Sequence, residues 1–93
     1  MQNSGFKALS HPLRCEVMAQ LRSGANTSEE LTSVIDAAWP TVTRHSNILR
    51  DAGLIIAKRQ ANTILYRANA SVLVDAANTL LSLMGNALQY IGR

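Results

Sequence analysis

Two short helices joined by a tight link form the clearest pattern in the sequence. Thr27 is followed three residues later by Glu30, which is the spacing of a capping box and predicts the start of a helix. Residues 36–38 leave room only for a tight link before apolar residues recur at helical spacing over residues 40–52. Gly53 then provides a residue that readily adopts the left-handed backbone conformation with which helices often end. The pattern predicts two helices joined by a short turn, which is the helix-turn-helix arrangement.

The flanking segments complete one small, mainly α domain with a β-hairpin. Ser10 is expected to cap a second helix that has Pro12 in its first turn. The later runs LIIAKR and TILYR, separated by Gln60-Ala61-Asn62, have a period near two and predict the hairpin. The predicted order is four helices, two strands and a final helix. We assign residues 1–93 to a single domain, with the helix-turn-helix at 28–52, the hairpin at 54–68 and terminal helices at 4–9 and 71–91.

The last helix is too apolar for so short a chain to cover. Leu73, Ala77, Leu80 and Met84 repeat every three to four residues, and a 93-residue domain has only a modest core against which to bury them. We expect this helix to pack against its symmetry mate, together with the first helix. The alternative is that it folds back on its own domain. The expected dimer contacts are Phe6, Leu73, Ala77, Leu80, Leu81, Met84, Leu88 and Ile91.

Positive charge is concentrated in the middle of the chain. The formal net charge is +3, and residues 44–67 alone hold five cationic side chains against the single acid Asp51, a net +4. The residues before and after this stretch net −1 and zero. A basic segment beside neutral ones suggests a polyanionic partner. A solvated basic face is the alternative.

The sequence does not indicate a secreted protein, a membrane protein or an enzyme. The start MQNSGFKALS has no long apolar run, and no stretch approaches the ~20 apolar residues of a membrane span. We therefore expect a cytoplasmic protein without a membrane partner. The chain also has no Gly-rich phosphate loop, zinc-protease motif or nucleophile elbow, so nothing in it indicates an enzyme.

Four segments of the chain follow one another in a recognisable order and spacing. They are ALSHPLR, TSEELTSVI, PTVTRHSNILRDAGLI and KRQANTILYR, and they span roughly residues 6–90. Together they resemble the ArsR family of winged helix-turn-helix repressors. The resemblance implies a small bacterial homodimer that binds palindromic operator DNA, with the hairpin as the wing. The run RQANTILY is most similar to the sulfide-responsive and nodulation-type branch.

The resemblance makes residues 40–52 the recognition helix. Such a helix presents donors and acceptors to base edges while its other side stays anchored in the protein. On a helical wheel, Val42, Ser46 and Leu49 share one side, which we expect to be the anchored one. Relatives usually place a leucine where Ser46 stands, so this chain should bury less apolar area there.

The remaining polar side chains of that helix are the candidate DNA contacts. Arg44 is the best base reader, because an arginine can bond a guanine edge at two atoms. Arg50 could contact a phosphate or pair with a carboxylate, and His45 could make a structural hydrogen bond instead. The full expected set is Thr41, Thr43, Arg44, His45, Asn47 and Arg50.

The hairpin carries the second group of expected DNA contacts. Lys58, Arg59, Asn62 and Arg67 could enter the minor groove or hold the phosphates that set the register. Relatives commonly have Gly and Arg at the tip, where this chain has Ala61 and Asn62. The difference indicates a weaker or differently shaped minor-groove contact.

A further difference precedes the recognition helix. Relatives often have small polar residues there that cap the helix, whereas this chain has Ala38 and Trp39. Trp39 could stack on a sugar or lie against the protein, and an exposed Trp can equally mark a protein-partner site. The alternative function is therefore a protein-interaction module that binds a partner regulator through Trp39 and the apolar last helix.

The sensor ligands typical of the family are absent from this sequence. Metal sensors of the family use cysteines on the third helix, or Asp and His pairs on the last. Here TSEELTSVI has no cysteine and the last helix has no histidine. We therefore expect no metal and no other cofactor. The single Cys15 is expected to be a buried small hydrophobe, with a redox role as the alternative if the thiol is exposed and readily ionised.

Overall fold

Residues 3–91 fold into five helices and a small sheet around one core. The computed structural model describes the backbone of residues 3–91 and the side chains of residues 5–85. The elements are α1 (Asn3–Ala8), α2 (Pro12–Leu21), β1 (Asn26–Thr27), α3 (Ser28–Val34), α4 (Trp39–Asp51), β2 (Ile55–Gln60), β3 (Thr63–Ala68) and α5 (Ala70–Ile91). The predicted mainly α domain with a β-hairpin is confirmed, with one additional strand.

The two central helices begin and end at signals that are visible in the sequence. The hydroxyl of Thr27 accepts from the backbone N–H of Glu30 at 3.1 Å, and the Glu30 carboxylate accepts from the N–H of Thr27 at 2.9 Å. Gly53 follows α4 with φ +81°, a conformation that a residue without Cβ adopts at little steric cost. Residues 35–38 form the link between α3 and α4. The predicted helix-turn-helix is confirmed.

The start of α2 differs from the prediction. His11, not Ser10, is the N-cap residue, because its Nδ1 accepts from the backbone N–H of Leu13 at 3.1 Å. The Ser10 hydroxyl instead donates to the carbonyl of Lys7 at 2.6 Å and so closes the end of α1. Pro12 occupies the first turn as predicted, where its missing N–H costs no hydrogen bond.

A third strand joins the predicted hairpin. β2 and β3 pair antiparallel along their whole length, and Gln60 lies opposite Thr63. Only Ala61 and Asn62 therefore form the turn, one residue fewer than predicted. β1 pairs with the other edge of β3, in the order β1-β3-β2. It was not predicted because a two-residue polar strand shows no alternation.

The core lies where α2, α3 and α4 meet one face of the sheet. Tyr66 of β3, Leu31 of α3 and Leu49 of α4 are among its fully buried side chains. Ile55 adds to the sheet's contribution from β2. This packing determines which sides of α4 and of the hairpin face solvent. Among the described residues, this buried cluster comprises Ala8, Val17, Leu21, Leu31, Ile35, Val42, Leu49, Leu54, Ile55 and Tyr66.

α5 has two different halves. Its first turns pack on the domain through Val72, Leu73 and Ala76. From Ala77 to Gly85 every residue is exposed, so this half does not fold back on its own domain. The chain is accordingly elongated, with extents of 57 × 23 × 22 Å. Among residues 3–91, no helix combines the length and the apolarity needed to cross a membrane.

Candidate nucleic-acid interface

α4 is held in the domain along one side. Val42, Ser46 and Leu49 are buried, the last two completely. Their spacing of four and three residues places them in one stripe of the helix, as the helical wheel predicts. The opposite side of α4 therefore faces solvent.

That solvent side carries polar side chains suited to reading bases. Arg44 is exposed, and Thr41 and Asn47 are partly exposed. The three recur every three residues, so they lie close together on the helix surface. Thr and Asn can donate or accept hydrogen bonds, and the guanidinium offers a planar fork of donors. This side can therefore bond to base edges in a major groove.

Two residues of the expected contact set point inward instead. His45 is only 4% exposed, and its Nδ1 lies 3.1 Å from Nη1 of Arg14 on α2. The hydroxyl oxygen of Thr43 is buried and has no hydrogen-bond partner within the described residues. We therefore remove both from the set of candidate DNA contacts. Both residues lie at the edge of the anchored stripe, where helical spacing alone does not determine whether a side chain is buried. Only the packing of α2 and α4 decides this for each of them.

Arg50 pairs with a carboxylate, one of the two alternatives left open by the sequence. Its Nη2 lies 3.2 Å from Oδ1 of the neighbouring Asp51, and both side chains are exposed. An exposed pair of this kind contributes roughly 0–1 kcal/mol. The guanidinium of Arg50 can therefore exchange this carboxylate for a phosphate.

The register of the hairpin divides its cations between two faces. Lys58 and Arg67 lie on the outer face, away from the helices, while Arg59 lies on the opposite face near the tip. Asn62 is in the turn, and all four side chains are exposed. A narrow hairpin with cations on both faces can approach phosphates on both sides of a groove.

The N-terminus of α4 has no side-chain cap. Ala38 is the N-cap residue, and it has no side-chain atom that can accept a hydrogen bond. The first residue of the helix, Trp39, is 52% exposed. Both an uncapped backbone and a half-exposed indole are thus available at this end of the helix.

Cys15 is exposed, which corrects the prediction of a buried thiol. Its Sγ donates to the carbonyl of Leu9 at 3.1 Å. It lies in an apolar depression that it shares with Met18 of α2 and with Leu73 and Val74 of α5. The turn of α2 that holds the thiol thus faces α5 rather than the core. No group of three His, Cys, Asp or Glu side chains comes together within the described residues.

A short helix, an anchored helix with a polar outer side and a basic hairpin beside them define a winged helix-turn-helix domain. The sequence profile described as "Bacterial regulatory protein, arsR family" matches residues 11–57. The transcriptional repressor SdpR of Bacillus subtilis is 32% identical over 80 residues, which are 86% of this chain and 89% of that protein. The chain belongs to the ArsR family of bacterial regulatory proteins.

Solved structures share this fold. The ArsR-like transcriptional regulator from Rhodococcus sp. matches with a TM-score of 0.81 at 25% identity, covering 96% of this chain and 84% of that one. A homodimeric winged helix-turn-helix DNA-binding domain from Mycobacterium bovis matches with a TM-score of 0.72 at 18% identity, covering 94% and 81%. The fold and the family expected from the sequence are confirmed. The protein is a DNA-binding transcriptional regulator, and the alternative of a protein-interaction module is not favoured.

Proposed function

We propose that the protein is a homodimeric repressor that occludes a promoter by binding a palindromic operator. One observation carries the proposal: the buried stripe of α4 anchors the helix while Thr41, Arg44 and Asn47 face outward. A helix held in this way can enter the major groove as a rigid body. The similarity to the repressor SdpR supports repression rather than activation.

α5 supplies the contact between the two copies. Val74, Leu80, Leu81, Leu83 and Met84 are each 54–60% exposed. Monomeric proteins rarely leave so large an apolar patch open, and full burial of one such side chain contributes about 1.5–3 kcal/mol. A second copy packed along α5 would cover the patch, and the neighbour of the same fold from Mycobacterium bovis is homodimeric.

The other expected dimer contacts differ in their surroundings. Phe6 and Leu73 are partly buried within their own domain, and Ala77 is exposed. The side chains of Leu88 and Ile91 lie outside the described residues. The second half of α5 therefore offers more free apolar surface than α1.

In such a dimer, the two α4 helices would enter successive major grooves, about 34–36 Å apart along the DNA. Lys58, Arg59 and Arg67 would hold phosphates of the flanks, with Asn62 at the tip of the wing. Phosphate contacts of this kind set the register of the protein on the duplex. We place the protein in the cytoplasm, where bacterial DNA is found.

The test is fluorescence anisotropy with the DNA upstream of the protein's own gene and with scrambled DNA, at several salt concentrations. We expect the upstream fragment to bind at least about a thousandfold tighter, as specific regulators do. Arg44→Ala should collapse that difference. Arg44→Lys is the matched control, because it keeps the charge and loses the bidentate fork. It should lower specific binding and leave binding to scrambled DNA nearly unchanged.

Equal, weak binding of both DNAs in every salt would overturn the proposal. A difference between the DNAs that survives Arg44→Ala would keep specific binding and remove Arg44 as the base reader.

A further inference from the structure

A pair of imidazoles joins α2 to the inner side of α4. The ring centroids of His11 and His45 are 4.4 Å apart, and Nη1 of Arg14 lies 3.1 Å from Nδ1 of His45. The Nε of Arg14 also donates to the carbonyl of Ala8. A single guanidinium therefore connects the end of α1 to α4, the helix that faces DNA.

Both imidazoles use Nδ1 as a hydrogen-bond acceptor. A guanidinium N–H can only donate, so Nδ1 of His45 must carry a lone pair toward Arg14. The backbone N–H of Leu13 imposes the same state on Nδ1 of His11. The contact with Arg14 thus requires the ring of His45 to be uncharged, with its proton on Nε2.

The charges that act on His45 are cationic. Burial lowers the pKa of His45 from 6.5, and the guanidinium groups of Arg14 on α2 and Arg44 on α4 lower it further. Lys7 of α1 and Arg14 line the same depression, so a further cation lies near Arg14. Burial and the guanidinium groups of Arg14 and Arg44 disfavour a protonated His45.

The carboxylates of α3 and α4 have other partners. Asp51 lines the same depression as Arg14, but it pairs with its neighbour Arg50 at 3.2 Å. Glu29 of α3 accepts from the hydroxyl of Thr63, and Glu30 accepts from the backbone N–H at the N-cap of α3. A proton added to His45 would therefore have no carboxylate bonded to it in the observed arrangement.

We propose that His45 is a positioning residue for α4, which makes specific DNA binding sensitive to acidification. Uncharged, His45 accepts from Arg14 and holds α4 on α2. A solvent proton bound at Nδ1 removes that acceptor and places two cations face to face, so α4 leaves its position. His11 is exposed and its ring lies 4.4 Å from that of His45, so a proton from solvent can reach the pair at this point. The inference rests on the proposed function of α4 as the recognition helix.

The experiment is the same anisotropy measurement at constant ionic strength from about pH 8 to about pH 5, a range that spans the titration of a histidine. We expect specific binding to weaken by at least about tenfold as the pH falls below the ordinary histidine value. Binding to scrambled DNA should stay constant or strengthen, because protonation adds positive charge. A general electrostatic effect would change binding to both DNAs in the same direction. A displaced α4 would weaken only the specific binding.

Two variants test the role of the imidazoles. His45→Asn keeps an acceptor oxygen near the position of Nδ1 and cannot titrate, so it should bind specifically at about pH 8 and lose the acid dependence. His11→Asn keeps an N-cap acceptor and removes the neighbouring ring. It should move the midpoint of the wild-type profile to higher pH, because the smaller side chain leaves His45 less buried, and burial is the main cause of its lowered pKa.

A flat wild-type profile, or a His45→Asn variant that keeps the wild-type profile, would overturn the inference. If circular dichroism shows that His45→Asn is unfolded, the His11→Asn variant becomes the test. An unchanged midpoint in that variant would overturn the inference. If the wild-type protein fails to discriminate the DNAs at about pH 8, the proposed function has failed by itself. Nuclear magnetic resonance then tests the inference directly: the α4 amide signals must shift as His45 titrates, and signals that do not move would overturn it.

Discussion

The hydroxyl of Thr63 donates a hydrogen bond to the carboxylate of Glu29, which joins the first residue of β3 to the first turn of α3. The hydroxyl of Ser28 lies 3.4 Å from the same Thr63 oxygen. Thr63 directly follows the turn of the hairpin, so the bond fastens the wing close to its tip. Together with the pairing of β1 and β3, it determines where the wing lies relative to α4.

The bond between Thr63 and Glu29 predicts an acid-dependent contribution to stability. It lowers the pKa of Glu29 from 4.5, because the hydroxyl favours the charged carboxylate. The folded chain then binds the proton less readily than the unfolded chain does. The contribution is therefore present above about pH 4.5 and is lost as the pH falls through the lowered pKa.

The melting temperature should fall between neutral pH and about pH 3, and we expect this decrease to be smaller in Glu29→Gln than in the wild type. The measurement is thermal unfolding followed by circular dichroism. Glu16→Gln is the control, since it removes an exposed carboxylate elsewhere, on α2. An equally reduced decrease in both variants would show that Glu29 has no special role.

Ser46→Ala is expected to stabilise the protein by about 1–2 kcal/mol. Ser46 is completely buried, and its hydroxyl has no hydrogen-bond partner in the described part of the chain. An unsatisfied buried hydroxyl costs about 1–3 kcal/mol, and removing one oxygen leaves little space behind. Chemical denaturation measures the change. Ser82→Ala, on the exposed half of α5, corrects for the higher helix propensity of alanine; the same gain there would contradict the explanation.

Ala38→Ser is expected to stabilise the protein by about 0.5 kcal/mol, the low end for an N-cap side chain. Ala38 already has an extended backbone at the N-cap of α4, with φ −66° and ψ 149°. Because Pro40 has no N–H, a serine hydroxyl there would share the N–H of Thr41, which already donates to the carbonyl of Ala38 at 3.0 Å. Denaturation of this variant is compared with that of Ala25→Ser in the exposed loop before β1, which should change little. A destabilised Ala38→Ser protein would show that the hydroxyl does not reach the backbone.

Leu81→Glu is expected to convert the dimer into monomers. Leu81 is 60% exposed within the apolar patch of α5, and a charge buried there without a partner opposes association. Sedimentation velocity measures the mass. The matched control is Val34→Glu, because Val34 is similarly exposed at 56% but lies on α3. A dimeric Leu81→Glu protein, or dissociation caused by Val34→Glu alone, would move the interface away from α5.

Local chemistry explains why so much of the fold could be predicted. The capping box of Thr27 and Glu30, the stop at Gly53 and the change of period after it depend on residues close together in the chain. The same holds for the anchored stripe of α4, which follows from helical spacing alone. The contact between α5 and a second copy stays a prediction from the exposed leucines.

The sequence by itself therefore determined the order of the elements, the helix-turn-helix and the side of α4 that faces solvent, since each depends on short-range spacing. Only the tertiary structure decided that His45 faces Arg14, that Cys15 is exposed and that β1 pairs with β3. Arg14 and His45 are 31 residues apart in the chain. β1 pairs with Leu65 and Tyr66 of β3, although α3 and α4 lie between the two strands in the sequence. Such contacts depend on how the packed helices place distant residues side by side, which no local pattern encodes.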